Sequence, residues 1–252
     1  MSGHNKWSSI KHQKGVADAK RGQLFTKLTR EIIVAVRSGG ADADANYRLR
    51  LAIQKARDSN MPYDNIDRAI KRGSGAMEGA ALVELALEGY GPGGAAIMVH
   101  AVSDNRNRAL QDIRNIFSRH GGNLGESGSV AWLFDSKGVI TIDAGRLNKE
   151  DLELKAIDAG ADDVKTEDSG VEIYTRPEDL ETVRKALEQQ NITITSSVLS
   201  TVPKSAVHLD EKAALTTLRL LEKLEELDDV DNVTSNVDFP DEIVEKYRSQ
   251  PG

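Results

Sequence analysis

Between Lys20 and Arg37 the apolar residues Leu24, Leu28, Ile32 and Ala35, flanked by Phe25 and Val36, recur at helical spacing. Lys20, Lys27, Arg30 and Arg37 fall on the other side of that helix, and Gly39 and Gly40 end it. Leu49, Ala52, Ile53 and Ala56 predict a second helix, with Arg48, Lys55 and Arg57 on its other faces. Pro62 suits the first turn of a third, in which Ile66, Ala69 and Ile70 face inward before Gly73. Three short amphipathic helices with close connections predict a small bundle over residues 20–75. Residues 1–19 show neither period and hold Gly3, Gly15 and several small polar residues, which reads as a flexible arm.

After Gly73 strands and helices alternate. Residues 81–90 and 95–102 read as strands joined by the turn "YGPGG". Residues 106–120 read as a helix with Leu110, Ile113, Ile116 and Phe117 inward and Gly121 at its end, and "SVAWLF" at 129–134 reads as the next strand. From Gly138 to Val202 the order is strand, helix, strand, strand, helix, strand: "VITID", residues 150–159, "DDVKT", "VEIYT", residues 178–190 and "ITITSSVL". That is the order of a split β-α-β, ferredoxin-like unit. A helix over 210–227 and a last strand in "VDNVTSNV" are then available to complete the sheet begun at residue 81. The predicted fold is α+β and multidomain: an N-terminal three-helix bundle followed by two α/β domains, at least one ferredoxin-like, the third inserted in the second. The expected boundaries are 76–135 plus 204–240 for the interrupted domain and 136–203 for the insertion.

Composition narrows the chemistry. Aromatic residues make up only 4% of the 252, so the cores rest on Leu, Ile, Val and Ala, which suits several small modules. The absence of cysteine excludes disulfides, thiolate catalysis and zinc sites with sulfur ligands. No stretch approaches the roughly 20 apolar residues of a membrane span, and the first thirty residues hold no signal-peptide apolar run, so a cytoplasmic protein without a membrane partner is expected. The net charge of −7 hides a division: residues 1–72 carry fifteen basic and seven acidic side chains, +8, which leaves −15 on the remainder. Such asymmetry suggests a polyanion-binding end joined to a solubilising or partner-binding body.

Signals for catalysis fail on inspection. "GYGPGG" matches G-x-G-x-x-G at Gly89, Gly91 and Gly94, but a dinucleotide loop must open a helix, and here the strand "AAIMVHAV" follows. His4, His12, His100, His120 and His208 show no metal-binding spacing, and "EELDDVD" lacks the glycine and the ligand pattern of a calcium loop. With no nucleophile elbow and no Walker loop, the expectation is a protein that is not an enzyme and has no cofactor or metal.

Nucleic-acid binding fits better. Phosphates attract Lys and Arg at long range, and a flexible basic arm orders on the surface it meets. Lys6, Lys11, Lys14, Lys20 and Arg21 are the expected phosphate contacts, with Lys27 and Arg30 extending the patch onto the first helix. Trp7 is positioned to stack on an unpaired base, with His4 and Asn5 as hydrogen-bonding neighbours; the alternative is that it folds back onto the bundle as an apolar anchor. "SDNRNR" places Arg106 and Arg108 at a helix start, as a secondary anion site or as salt-bridge partners of nearby acids.

The stretches "GHNKWSSIKHQK", "DAKRGQLFTKLTREI", "NYRLRLAIQKARDSNMPYDNIDRAIKRG", "EGYGPGGAAIMVHAVSDNRNR" and "GGNLGESGSVAWLF" together closely resemble the YebC/PmpR family, nearly end to end. Gln13 is a small departure, standing where many relatives carry a basic residue. The resemblance implies three domains, the third inserted in the second, and a probable DNA-binding transcriptional regulator. It also implies an alternative, because relatives that include a mitochondrial one look like translational activators acting on ribosomes stalled at proline runs. In that case ribosomal RNA and the ribosome would be the partners of the arm. An adaptor that works through its acidic domains is a third class, for which the arm would be dispensable. None of these motifs specifies an oligomeric state.

Overall fold

The computed structural model describes residues 18–78, 81–143, 148–166 and 170–249. They form two compact units, one spanning Phe134–Lys204 and the other made of the residues before and after it. Because the chain returns to the larger unit after Lys204, the smaller one is an insertion, as the order of elements predicts.

The bundle consists of α1 (Asp18–Gly39), α2 (Tyr47–Asp58) and α3 (Tyr63–Gly73). Helix α1 starts two residues inside the stretch expected as an arm. Leu28, Ile32, Ala35 and Val36 of α1 pack on Leu49, Ala52 and Ala56 of α2 and on Ile66 and Ala69 of α3. Leu24, a turn earlier on the same face, is exposed, so core burial starts at Leu28. Buried Asn46 ties the first corner: its Oδ1 accepts the Leu49 N–H at 3.1 Å as N-cap of α2, and its Nδ2 donates to the Ala35 and Gly40 carbonyls at 2.8 and 2.7 Å. A Cβ at Gly39 would lie 2.7 Å from the Asn46 side chain, so only glycine admits this corner. Pro62 precedes the first turn of α3 rather than occupying it.

In chain order the remaining elements are β1 (Val83–Tyr90), β2 (Ala96–Ser103), α4 (Arg106–Arg119), β3 (Asn123–Leu124), β4 (Phe134–Ile142), α5 (Lys149–Asp158), β5 (Asp163–Thr166), β6 (Val171–Thr175), α6 (Leu180–Gln189), β7 (Ser196–Pro203), α7 (Glu211–Glu225), β8 (Val230–Ser235) and α8 (Asp241–Ser249). The larger unit holds an antiparallel sheet in the order β3-β1-β2-β8. Its core joins Leu85, Ile97 and Val99 to Ile113 and Phe117 of α4 and to Leu218, Leu221 and Leu224 of α7. The inserted unit holds the antiparallel sheet β5-β6-β4-β7, the strand order of a ferredoxin-like fold. The strand expected at 192–199 begins only at Ser196 and runs to Pro203. Asn191, at φ 58°, turns the chain after α6 and delays pairing until the Thr195 N–H reaches the Thr141 carbonyl at 2.9 Å.

"SVAWLF" is not a strand. Glu88 on β1 is 6% exposed, and its carboxylate accepts the backbone N–H groups of Gly128, Val130 and Ala131 at 2.6, 2.7 and 2.7 Å. Donors that converge on one carboxylate cannot also point alternately to neighbouring strands, so residues 131–133 form a single 3₁₀ turn and β4 begins at Phe134. Burial would push the Glu88 carboxyl up, but the three N–H bonds outweigh it and hold it below the ordinary carboxylate value.

Helix α1 is fastened to the sheet unit by a polar face. Gln23, Lys27 and Arg30, spaced four and three apart, donate to the carbonyls of Glu226, Glu225 and Asp228, at and just beyond the end of α7. The last carbonyls of a helix lack partners within the helix and carry its negative pole, so these donors fill an intrinsic deficit. Arg30 also lies 2.8 Å from Oδ1 of Asp229, a Coulombic contact without a well-aligned hydrogen bond at that oxygen. The other oxygen, Oδ2, accepts from Ser103 Oγ and from Arg108, each at 2.9 Å.

Two outcomes are expected. Replacing Glu88 with Gln turns an NH₂ toward backbone donors and leaves buried groups unpaired, which costs about 1–3 kcal/mol at pH 7. Because the folded carboxyl titrates below its ordinary value of 4.5, its contribution is complete above that value and lost as pH falls through the depressed one. Denaturant unfolding should therefore show the gap between wild type and Glu88→Gln closing in acid; a gap that is constant with pH would refute the assignment. Arg30→Ala leaves Asp229 with one cation fewer and should cost about 1.5–3 kcal/mol, read as an earlier denaturation midpoint. An unchanged midpoint would mean that the contact contributes nothing.

Candidate nucleic-acid interface

The expected contacts fall into three groups. His4, Asn5, Lys6, Trp7, Lys11 and Lys14 lie outside the described residues. Lys20 lies in the first turn of α1, and Arg21 next to it is exposed. Lys27 and Arg30 are half-buried and engaged with the end of α7 and with Asp229, so their donors are already directed inside the molecule.

At the start of α4 the salt-bridge alternative describes Arg108. Its guanidinium lies 2.9 Å from both Asp104 and Asp229, and these hydrogen-bonded carboxylates hold it more firmly in the charged form. Asn105 caps the helix by accepting the Arg108 N–H at 3.1 Å. Arg106 is exposed beside it and is not drawn into this cluster among the described residues. The adjoining cavity, about 340 Å³, is lined by Arg30 and Arg108 but also by Asp112, Asp228 and Asp229. Three carboxylates against two guanidinium groups make it a poor anion site.

The remaining cations of the bundle sort by the same test. Lys55 pairs with Glu31 at 2.7 Å; burial pushes the Glu31 carboxyl up against the opposing pull of Lys55, and Asp231 of β8 adds to the rise. Arg48 forks onto both oxygens of Glu84 at 3.1 and 2.9 Å. Arg50 donates to the Ala43 and Asp44 carbonyls and lies over the Tyr47 ring at 5.6 Å. These three serve the fold.

What the bundle offers to solvent is different. Arg57 at the end of α2 and Arg68 and Arg72 on α3 are exposed and make no ion pair among the described residues. Lys71 is tied to Asp67 at 2.7 Å. Tyr63, at the start of α3, is 69% exposed and adds an aromatic face to the same short helix. The sequence reading counted these arginines as charge and passed over Tyr63. The signal was present in the spacing: with Ile66, Ala69 and Ile70 inward, Arg68 and Arg72 must share an outward stripe. Among the described residues no group of three or more His, Asp or Glu side chains is placed to hold a metal, and no helix is long and apolar enough to cross a membrane.

Comparison with known proteins matches this organisation. Residues 5–76 match the family model for the TACO1/YebC protein N-terminal domain, and residues 82–237 match that for the TACO1/YebC second and third domain. The chain is 59% identical over 250 residues to a probable transcriptional regulatory protein of Dehalococcoides mccartyi, covering 99% of this chain and 100% of the relative. A protein of the same description from Desulfosudis oleivorans is 51% identical over 245 residues, covering 97% and 100%. The crystal structure of a conserved hypothetical protein from Aquifex aeolicus superposes with a TM-score of 0.85 at 47% identity, over 93% of this chain and 97% of that one. The resemblance carried by the five sequence stretches is borne out, and the chain belongs to the TACO1/YebC family.

Proposed function

We propose that this protein is a nucleic-acid-binding regulator of gene expression that acts through its N-terminal residues and the exposed face of the bundle, as a DNA-binding regulator of transcription. Membership of a family whose relatives are named probable transcriptional regulatory proteins supports the regulatory class. The observation that carries the binding is the sorting of cations. Those turned inward in the bundle meet carboxylates or carbonyls, whereas Arg21, Arg57, Arg68 and Arg72 face solvent. They belong to the +8 segment of a chain that is otherwise −15, and they follow a stretch holding Lys6, Lys11 and Lys14 without an acid before Asp18. Phosphates are the anions that such a surface attracts at long range. No catalytic step and no cofactor are assigned.

One observation favours the alternative nucleic acid. Exposed Tyr63, on the same short helix as Arg68 and Arg72, suits unpaired bases, which stack on aromatic rings, whereas the bases of a duplex are already stacked. Ribosomal RNA presents such bases, and a translation factor bound to the ribosome would use the same surface.

Fluorescence anisotropy with labelled duplex DNA and with a folded ribosomal RNA fragment tests both readings. Wild type should bind at least one of them, and the Lys6, Trp7, Lys11 and Lys14 to Ser variant and Arg68→Gln/Arg72→Gln should each bind about tenfold or more weakly. Preference for the duplex supports transcription, and preference for the RNA supports translation. Absence of binding to either at low salt would overturn the proposal.

A further inference from the structure

The glycine-rich "GYGPGG" stretch, dismissed above as a dinucleotide loop, borders an open cavity of about 590 Å³. Residues 92–94 make a single 3₁₀ turn between β1 and β2, with Gly93 at φ 70°. A Cβ there would come within 2.7 Å of Leu209, so the turn lies close against the chain entering α7. Pro92 thereby forms one wall, and the end of α4 and the first half of α7 form the others.

Three of the six polar residues in the described lining are cationic, and the other three are His120, Asp210 and Thr216. Arg119 comes from α4, Lys212 and Arg219 come from α7, and His120 stands beside them. Asp210, the one acid among the described lining residues, keeps its charge but is held as the N-cap of α7, accepting the Ala213 N–H at 2.8 Å. His120 has its Nδ1 2.9 Å from the Ile116 carbonyl, so that nitrogen carries a proton and donates.

Arg119 in the last turn of α4 has an ordinary explanation, since cations favour the negative pole of a helix. Lys212 does not. It sits in the first turn of α7, at the positive pole, where an acid would be favoured. Neither Arg119 nor Lys212 makes an ion pair among the described residues, although most of the charge on this part of the chain is negative. Cationic side chains on two helices that border one open cavity favour an anion within it. Among the described residues the lining contains no Phe, Tyr or Trp on which a base would stack, so the chemistry recognises phosphate rather than base. The cavity is open to solvent, which admits a continuous strand.

We propose that this cavity is a phosphate-binding site that holds backbone phosphates of the nucleic acid engaged by the bundle. The assignment rests on the function proposed above, and it adds a second contact on the α/β part of the same compact unit.

The test compares the salt dependence of oligonucleotide binding for wild type, Arg119→Gln/Lys212→Gln and Arg68→Gln/Arg72→Gln, with circular dichroism confirming the fold of each. Each lost phosphate contact removes about 0.7–0.9 from the slope of log affinity against log salt. The cavity variant should therefore lose about 1.4–1.8 from that slope, for every sequence tried, and the bundle variant should lose a similar amount. A cavity variant with the wild-type slope, beside a weakened bundle variant, overturns the site and leaves the proposed function standing. Wild type that binds no nucleic acid overturns both. Calorimetry with inorganic pyrophosphate separates the remaining source of phosphate: if wild type binds pyrophosphate and the cavity variant does not, while their oligonucleotide slopes agree, the cavity serves a free phosphate ligand and the backbone assignment fails.

Discussion

The end of α7 presents carbonyl groups that no residue of that helix can satisfy, and Asp229 follows as a nearly buried carboxylate in need of positive charge. Helix α1 meets both needs with one stripe, Gln23, Lys27 and Arg30, and Arg108 closes the ring from α4. This contact joins a small bundle to a four-stranded sheet and makes them one compact unit. It also decides which cations are available for anything else. Lys27 and Arg30 are thereby withdrawn from solvent. The outward charge lies instead at the two ends of α1, at the end of α2 and on α3.

Much of the architecture was legible because its signals are local. The 3.6-residue period of α1 to α3, the alternation in β1 and β2, and the strand and helix order from residue 138 to 202 each lie within short windows. The insertion followed from the order of elements, which left a last helix and strand available to complete the sheet begun at residue 81, and β8 does pair with β2. Failures occurred where a distant group overrides the local pattern. "SVAWLF" is a short apolar run like that of a buried strand, but Glu88, forty residues or more upstream, gathers its N–H groups. The two-residue strand β3 carries too little period to stand out, whereas helix α8 went unread although Ile243, Val244 and Tyr247 stand at helical spacing.

The interface was less legible for a related reason. Periodicity reveals which face of a helix is polar, but not what that face will meet. Lys27 and Arg30 look like Arg68 and Arg72 in the sequence, yet the first two reach acceptors 198 residues away and the others reach none among the described residues. The cationic lining of the cavity beside Pro92 could not be read either, because Arg119 and Lys212 are brought together only by the packing of α4 against α7. Net charge of the C-terminal part, strongly negative, concealed it further.

On the function proposed, nucleic acid is held by the outward cations of the larger unit. Ultraviolet cross-linking of the protein to nucleic acid in living cells, followed by identification of the cross-linked peptides, addresses that claim most directly. Adducts are expected in peptides from residues 1–21 and from α3, with the recovered strands identifying DNA or ribosomal RNA as the target. Adducts confined to the inserted unit Phe134–Lys204, or nucleic acid recovered no more often than from a non-binding control, would contradict it.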